Sequence, residues 1–254
     1  MAEPEDTDRK YRAPALEKGL DVLELLAAHR TPLTLSQIST ALDRSVSELF
    51  RMVQVLEFRG YVGPSPTGEG LVLTNRLFAL GMTRAPAKDL LEAALPQMRK
   101  LSLAIGQSVH MAVASADQMV VVARIEAPGD LGFSVRVGYR RPVVEATSGL
   151  VLYAFQPDKV RSGWRARLKP AAGAELWTDF ETRATTARKV GYVRADSAVV
   201  RQITDLSAPI MGPEGVAAAL TVPYVQTPTA IPMPDTIAAI QATARDISAE
   251  LGAA

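Results

Sequence analysis

The sequence predicts an α+β chain in two unlike parts. Three short helices closed by a hairpin come first, and a helical joint leads to a larger domain built on one antiparallel sheet. Three observations carry this. Two helix-start signatures, Thr34-Leu35-Ser36-Gln37 and Ser45-Val46-Ser47-Glu48, lie eleven positions apart. Two short apolar runs follow Gly60 around a turn rich in Pro and Gly. From Gln107 onward the apolar spacing changes from helical to strand-like.

Composition sets the outer bounds. A chain of 254 residues, 48% hydrophobic and 22% charged, is that of an ordinary globular protein of two domains. No run approaches the roughly 18 apolar residues of a membrane span. The first residues, Met1 to Lys10, are polar and mostly acidic, unlike a signal peptide, so a cytoplasmic location is expected. Without cysteine there are no disulfides or thiolate metal sites, and His29 and His110 are the only imidazoles. No metal and no cofactor are expected. The net charge of +1 hides an uneven distribution: residues 9–85 carry ten Lys/Arg against seven Asp/Glu. That excess suits weak phosphate binding by one copy, and two copies would double the contacts.

Element by element, Ala15 to His29 repeats Leu16, Leu20, Leu23, Leu26 and Ala27 at helical steps, with Pro14 just ahead where a missing N–H is harmless. Each signature that follows is a capping box, in which a hydroxyl and a Gln or Glu three residues on satisfy each other's backbone N–H. The first opens a short helix with Leu35, Ile38 and Leu42 on one side, and Asp43-Arg44 makes the turn. The second opens a helix from about Val46 to Arg59. Val46, Leu49, Phe50, Val53 and Leu56 share one face, with Met52 at its edge, and Ser47, Glu48, Arg51 and Gln54 share the other. These are the dimensions of a helix-turn-helix, whose second helix lies in the DNA major groove. Ser47, Arg51 and Gln54 can bond to base edges, whereas a polar face on any surface helix is the plain alternative. Tyr61-Val62-Gly63 and Leu71-Val72-Leu73-Thr74 flank the Pro/Gly turn as two strands, which makes the unit a winged helix. Upstream, Arg9-Lys10-Tyr11-Arg12 reads as a phosphate or minor-groove arm, or equally as a charged terminus.

The second part begins at a joint near Ala85-Pro86-Ala87. Asp89 to Ile105 returns to helical spacing, interrupted by Pro96. Val109–Val113 and Met119–Ile125 read as strands, and Phe133, Val135 and Val137 alternate with polar residues as in a sheet with one wet face. Ser148–Phe155 and Ala174–Lys189 read as helices. Ile203–Met211 and Val216–Val225 read as a hairpin around Gly212-Pro213-Glu214-Gly215, and Asp235–Leu251 as a last helix. There is no P-loop, GxGxxG, HExxH or GxSxG, so no catalytic residues are assigned. His110 reads as a satisfied core or pocket histidine rather than a base. Asp196 and Asp205 are a candidate carboxylate pair that nothing in the sequence brings together.

With these parts in place, the chain resembles the IclR family of bacterial transcriptional regulators over about residues 12–252. The resemblance rests on Ala15-Leu16-Glu17-Lys18-Gly19-Leu20-Asp21-Val22-Leu23, Leu33-Thr34-Leu35-Ser36-Gln37-Ile38, Gly60-Tyr61-Val62, Leu73-Thr74 and Leu77-Phe78-Ala79-Leu80-Gly81. Val137-Gly138-Tyr139-Arg140-Arg141-Pro142, Ala146-Thr147-Ser148-Gly149, Gly191-Tyr192, Ser207-Ala208-Pro209-Ile210 and Ala218-Ala219-Leu220-Thr221-Val222 continue it. It implies a winged helix-turn-helix over 12–82, a linker helix over 83–105 and a GAF-like effector domain over 106–254. It also implies homodimers or homotetramers on palindromic double-stranded operators, and a small organic effector, often a carboxylate or aromatic acid. The implied pocket residues are Thr147, Ser148, Asp196, Ile203, Asp205 and Thr221. The chain departs from the family pattern at Leu150 (often Lys), Glu145 (usually small) and Gln202 (usually Gly). Glu145 and Asp205 together disfavour an anionic ligand unless Arg124, Arg136 or Arg140 compensates. Thr147 and Ser148 can equally be helix caps that touch no ligand.

The reading is therefore a ligand-responsive DNA-binding regulator, with DNA contact expected from Arg12, Gln37, Arg44, Ser45, Ser47, Arg51 and Gln54. The rivals are an enzyme acting on a small molecule in the second domain and a ligand-independent architectural DNA binder. No membrane partner is expected.

Overall fold

The computed structural model describes residues 13–29, 31–66, 68–82, 85–129, 132–228 and 230–253. Arg12, assigned to DNA contact on sequence, lies outside them. The chain forms two compact units, residues 1–85 and 86–254.

In the first unit, α1 (Pro14–Ala28), α2 (Leu35–Leu42) and α3 (Val46–Phe58) precede β1 (Val62–Pro64), β2 (Leu71–Leu73) and α4 (Arg76–Met82). Both capping boxes form. The Thr34 hydroxyl accepts from the Gln37 N–H while Gln37 Oε1 accepts from the Thr34 N–H at 2.8 Å, and Ser45 and Glu48 repeat the exchange. Asp43, in the left-handed region at φ 49°, turns the chain between α2 and α3. β1 and β2 pair antiparallel with Val62 opposite Leu73, and a bridge from Leu33 to Leu71 ties this wing to the segment before α2. Val22, Leu26, Leu33, Ile38, Leu49, Val53 and Val62 form the core. Two residues assigned to the buried face of α3 are not in it: Val46 is 44% exposed and Phe50 48%. So small a unit has too little interior to cover a wide apolar stripe, and burial narrows to Leu49 and Val53 with Met52 and Leu56 half-buried.

The second unit opens with α5 (Ala85–Ile105), which runs unbroken through Pro96. Proline deletes one helical N–H. Leu90, Ala94, Met98 and Leu101, buried on both sides of it, hold the helix to the core. The stretch expected as a linker is thus, from Leu90 onward, part of this unit's interior. β3 (Val109–Ser115), β4 (Gln118–Ile125) and β5 (Arg140–Pro142) follow, then a 3-10 turn (Val143–Glu145) and α6 (Thr147–Ala154). Next come α7 (Asp158–Ala172), α8 (Ala174–Val190), β6 (Val193–Asp196), β7 (Ile203–Gly212), β8 (Gly215–Val225) and α9 (Met233–Glu250).

One antiparallel sheet, in the order β5-β4-β3-β8-β7-β6, carries all of this. Side chains alternate between the faces of a strand. Leu206, Ala208 and Ile210 of β7, with Leu220, Val222 and Tyr224 of β8, pack with α5 and α9. The opposite face meets α6, and beyond it α8, where Tyr153, Trp177 and Phe180 stack with ring centroids 5.1–5.7 Å apart. Residues 133–137 do not form the expected strand. β4 is paired on that edge only with Arg140–Pro142, so the stretch has no ladder to join and runs as loop.

Candidate functional site

α3 offers one candidate surface. Arg44, Ser47, Arg51 and Gln54 are all exposed, and Arg44 and Arg51 make no ion pair among the described residues. Two of the expected DNA contacts have local partners instead. Gln37 holds the Thr34 backbone and hydroxyl at 2.8 and 3.1 Å, leaving its amide N–H groups to donate. Ser45 accepts from the Glu48 N–H and sits 3.2 Å from the Ser47 hydroxyl. Glu48 is a structural group: its Oε1 takes a 2.7 Å salt bridge from Lys18 of α1, and its Oε2 accepts from the Ser45 N–H. The Lys18 and Ser45 hydrogen bonds hold its carboxyl down to about 2. Exposed Val46 and Phe50 stand on the same helix as the polar set, at its first residue and about one turn further on. Sequence periodicity assigned them to the core, and only the narrowness of that core reveals them.

The second unit carries a cavity of about 230 Å³, open on one side, between the sheet and the start of α6. Its position follows from the fold. β3, β8 and β7 are neighbours, and register places His110 opposite Thr221, and Thr221 opposite Ser207. The Ser207 and Thr221 hydroxyls bond at 2.8 Å. Asp205, two residues before Ser207, projects from the same face, so β7 and β8 supply a polar floor. Gly149 lets α6 lie against the 3-10 turn, since a Cβ there would collide with the Val143 carbonyl. This close approach brings Thr147 over the sheet, where its hydroxyl donates to Asp205 Oδ2 at 3.2 Å. The residue capping α6 is Ala146, with no side-chain cap bond, so Thr147 and Ser148 lie inside the first turn and on the cavity wall.

Four of the six pocket residues implied by resemblance, Thr147, Ser148, Asp205 and Thr221, line this cavity. Asp196 and Ile203 do not. Asp196 pairs with Thr204, one position out of step with Asp205, and strand alternation turns it to the other face as an exposed edge residue. The carboxylate pair suggested for Asp196 and Asp205 therefore does not form. Ile203 is buried on the Asp205 face but beyond the cavity's lining. Sequence reasoning gave no pocket role to Phe133, Val135 and Tyr139, which form the cavity's apolar side, or to Arg141; of the three arginines it named as possible compensating cations, Arg136 lines the cavity and Arg124 and Arg140 do not. The alternation over residues 133–137 was the available signal, and it belonged to a lining loop rather than a strand.

Electrostatics separates floor from rim. Burial raises the Asp205 carboxyl to about 6, opposed in part by the Thr147 bond and Arg141. Burial also lowers His110 to about 4, which leaves a neutral ring at neutral pH. His110 Nδ1 is buried without a hydrogen-bond partner among the described residues. Arg141 is bound to Glu145 at 3.4 Å. Among the described residues no group of three or more His, Asp or Glu is placed to hold a metal, and no helix is long and apolar enough to cross a membrane.

The comparisons with known proteins agree with this architecture. Residues 15–66 match the IclR helix-turn-helix domain, and residues 83–249 match the bacterial transcriptional regulator IclR C-terminal domain. The HTH-type transcriptional regulator KdgR of Dickeya chrysanthemi is 28% identical over 174 residues, 68% of this chain and 53% of that protein. The DNA-binding transcriptional repressor YiaJ of Escherichia coli K12 is 24% identical over 164 residues, 64% of this chain and 58% of that protein. The chain thus spans a little over half the length of these curated relatives. An IclR homologue from Microbacterium hydrocarbonoxydans, solved in complex with 4-hydroxybenzoate, shares the fold at TM-score 0.76 and 24% identity, over 94% of this chain and 100% of that one. HmgR of Pseudomonas aeruginosa does so at 0.72 and 23%, over 94% and 99%. With a helix-turn-helix in the first unit, a cavity in the second, and the two domain matches spanning most of its length, the chain belongs to the IclR family of bacterial transcriptional regulators.

Proposed function

We propose that the chain regulates transcription by binding an operator through its winged helix, with an affinity set by a small organic effector in the second unit's cavity. The observation that carries this reading is the cavity itself. A buried polar floor, with an imidazole nitrogen that has no partner among the described residues, lies on the same chain as a helix-turn-helix whose Arg44 and Arg51 make no ion pair among those residues. A buried polar atom without a partner is costly unless a ligand or water completes it. The Microbacterium homologue's complex with 4-hydroxybenzoate supports a small organic ligand for this fold.

On the DNA side, Arg51, Ser47, Gln54 and Arg44 read base edges and phosphates. Val46 and Phe50 meet thymine methyl groups, the one apolar feature of the major groove. Glu48 stays out of the readout, because its two oxygens are engaged by Lys18 and Ser45. Two copies bind the half-sites of a palindrome about one helical turn apart, and the effector shifts the population of the arrangement that fits them.

The test is a titration of the chain into labelled DNA from upstream of its own gene, with and without a panel of small organic metabolites. Specific binding that at least one metabolite weakens or strengthens tenfold is the expected result. Binding that no metabolite changes, with no thermal stabilisation by any of them, overturns the effector half of the reading.

A further inference from the structure

The cavity has unlike ends. His110, Thr147, Ser148 and Thr221 are each less than a tenth exposed, and Asp205 stands among them half-buried. Thr147 engages Asp205 Oδ2, and among the described residues no donor reaches Oδ1. His110, neutral, has an acceptor lone pair and an unpartnered Nδ1. The floor therefore presents a carboxylate oxygen that can only accept, beside a ring nitrogen and hydroxyl oxygens that can also accept. No cation is free at the floor, although Arg141 is near enough to Asp205 to oppose part of its shift. Arg141 is engaged by Glu145, and Arg136 is exposed at the rim without an ion pair among the described residues. Between floor and rim the wall is apolar, formed by Met119, Phe133, Val135, Tyr139 and Val199.

Resting on the reading of this cavity as an effector site, we propose that Asp205 is its specificity-determining residue, selecting a small molecule with an apolar or aromatic body and a cationic amino group. An ammonium group offers three donors, which match Asp205 Oδ1, a His110 ring nitrogen and a hydroxyl oxygen. A carboxylate at the floor would instead face Asp205 as a like charge with no free cation beside it. A carboxylate at the other end of the molecule is accepted, since it meets Arg136 at the rim. A cavity of about 230 Å³ accommodates one aromatic ring with such substituents.

Thermal-shift and calorimetric titrations of the full chain at pH 7.5 decide the matter, using three probes of similar size: benzylamine, 4-(aminomethyl)benzoate and benzoate. The two amines should raise the melting temperature of the wild type and benzoate should not. The isosteric variant Asp205→Asn should bind the amines at least tenfold more weakly and benzoate no worse than the wild type does. Amines that bind Asp205→Asn as tightly as wild type, or that fail to bind the wild type, overturn the assignment. If the variant does not fold, the wild-type ranking of amines over benzoate still decides. Benzoate that binds wild type and variant alike and alters DNA affinity overturns this assignment while leaving the effector reading intact. Silence from all three probes, with no response in the metabolite panel, removes both.

Discussion

The α3 surface and the cavity are built on opposite plans. Residues 44–54 present their polar set from α3 and the two residues just ahead of it, with neighbours in space that are also neighbours in sequence. The cavity draws His110 from β3, Thr147 from α6, Asp205 from β7 and Thr221 from β8, segments up to 111 positions apart. Exposure differs as well: the helix side chains are solvated, whereas burial moves the titrations of Asp205 and His110 on the floor. A surface that reads DNA needs reach and charge. A cavity that chooses among small molecules needs acceptors whose partners are withheld by burial.

The sharpest way to separate the two plans is through the packing beneath α3. Leu49→Ala, at a fully buried position, should destabilise the first unit by about 2–5 kcal/mol. Two-probe melting of the full chain should show that transition fall while the cavity unit's stays in place. A common fall of both would make the units one cooperative body. Next, Arg51→Ala should weaken specific DNA binding by about 1–3 kcal/mol with no matching loss of stability, if the residue reads a guanine. An unchanged footprint would remove Arg51 from the readout.

A smaller effect is expected at Gln202. Its φ of 65° lies in the left-handed region, so Gln202→Gly should raise the stability of the second unit by about 1 kcal/mol in denaturant unfolding. Comparable in size is the loss on replacing one operator thymine with uracil at the base beside Phe50, about 0.8 kcal/mol or some fourfold in affinity. No change at any thymine would place Phe50 outside the groove.

The smallest effect is in the pH profile, because two shifts oppose. Asp205 is raised from 3.8 to about 6, so the folded chain keeps a proton the unfolded chain has lost, and stability falls as pH rises through that window. His110 is lowered from 6.5 to about 4, so the unfolded chain holds the extra proton and stability rises over about pH 4 to 6.5. In wild type these two nearly cancel. Asp205→Asn should expose the His110 rise, measured by urea unfolding at stepped pH, and a flat profile in the variant would show that His110 is solvated.

Much of the fold was legible because its signals are local. Capping boxes, the Gly60 stop and the wing turn act within a few residues, and both boxes appear where the pattern places them. Helices such as α9 announce themselves by a long apolar stripe. α7 was passed over because only Leu168 in it is buried, although Val160, Trp164 and Leu168 recur at steps of four. Residues 133–137 misled for the reverse reason: alternation records which side chains avoid water, and a lining loop does that as well as a strand.

By itself, then, the order of residues determined the helix starts, the hairpins, the two-part plan and the polar set on α3, since each depends on bonds and spacings within one or two turns. Tertiary structure alone decided that Thr147 lines a cavity rather than capping a helix, that Asp196 and Asp205 turn to opposite faces, and that Val46 and Phe50 meet solvent. Those outcomes depend on strand register, on a glycine-permitted approach of α6 to its neighbouring turn, and on how much interior a small unit has to offer. None of these is a property of any short segment.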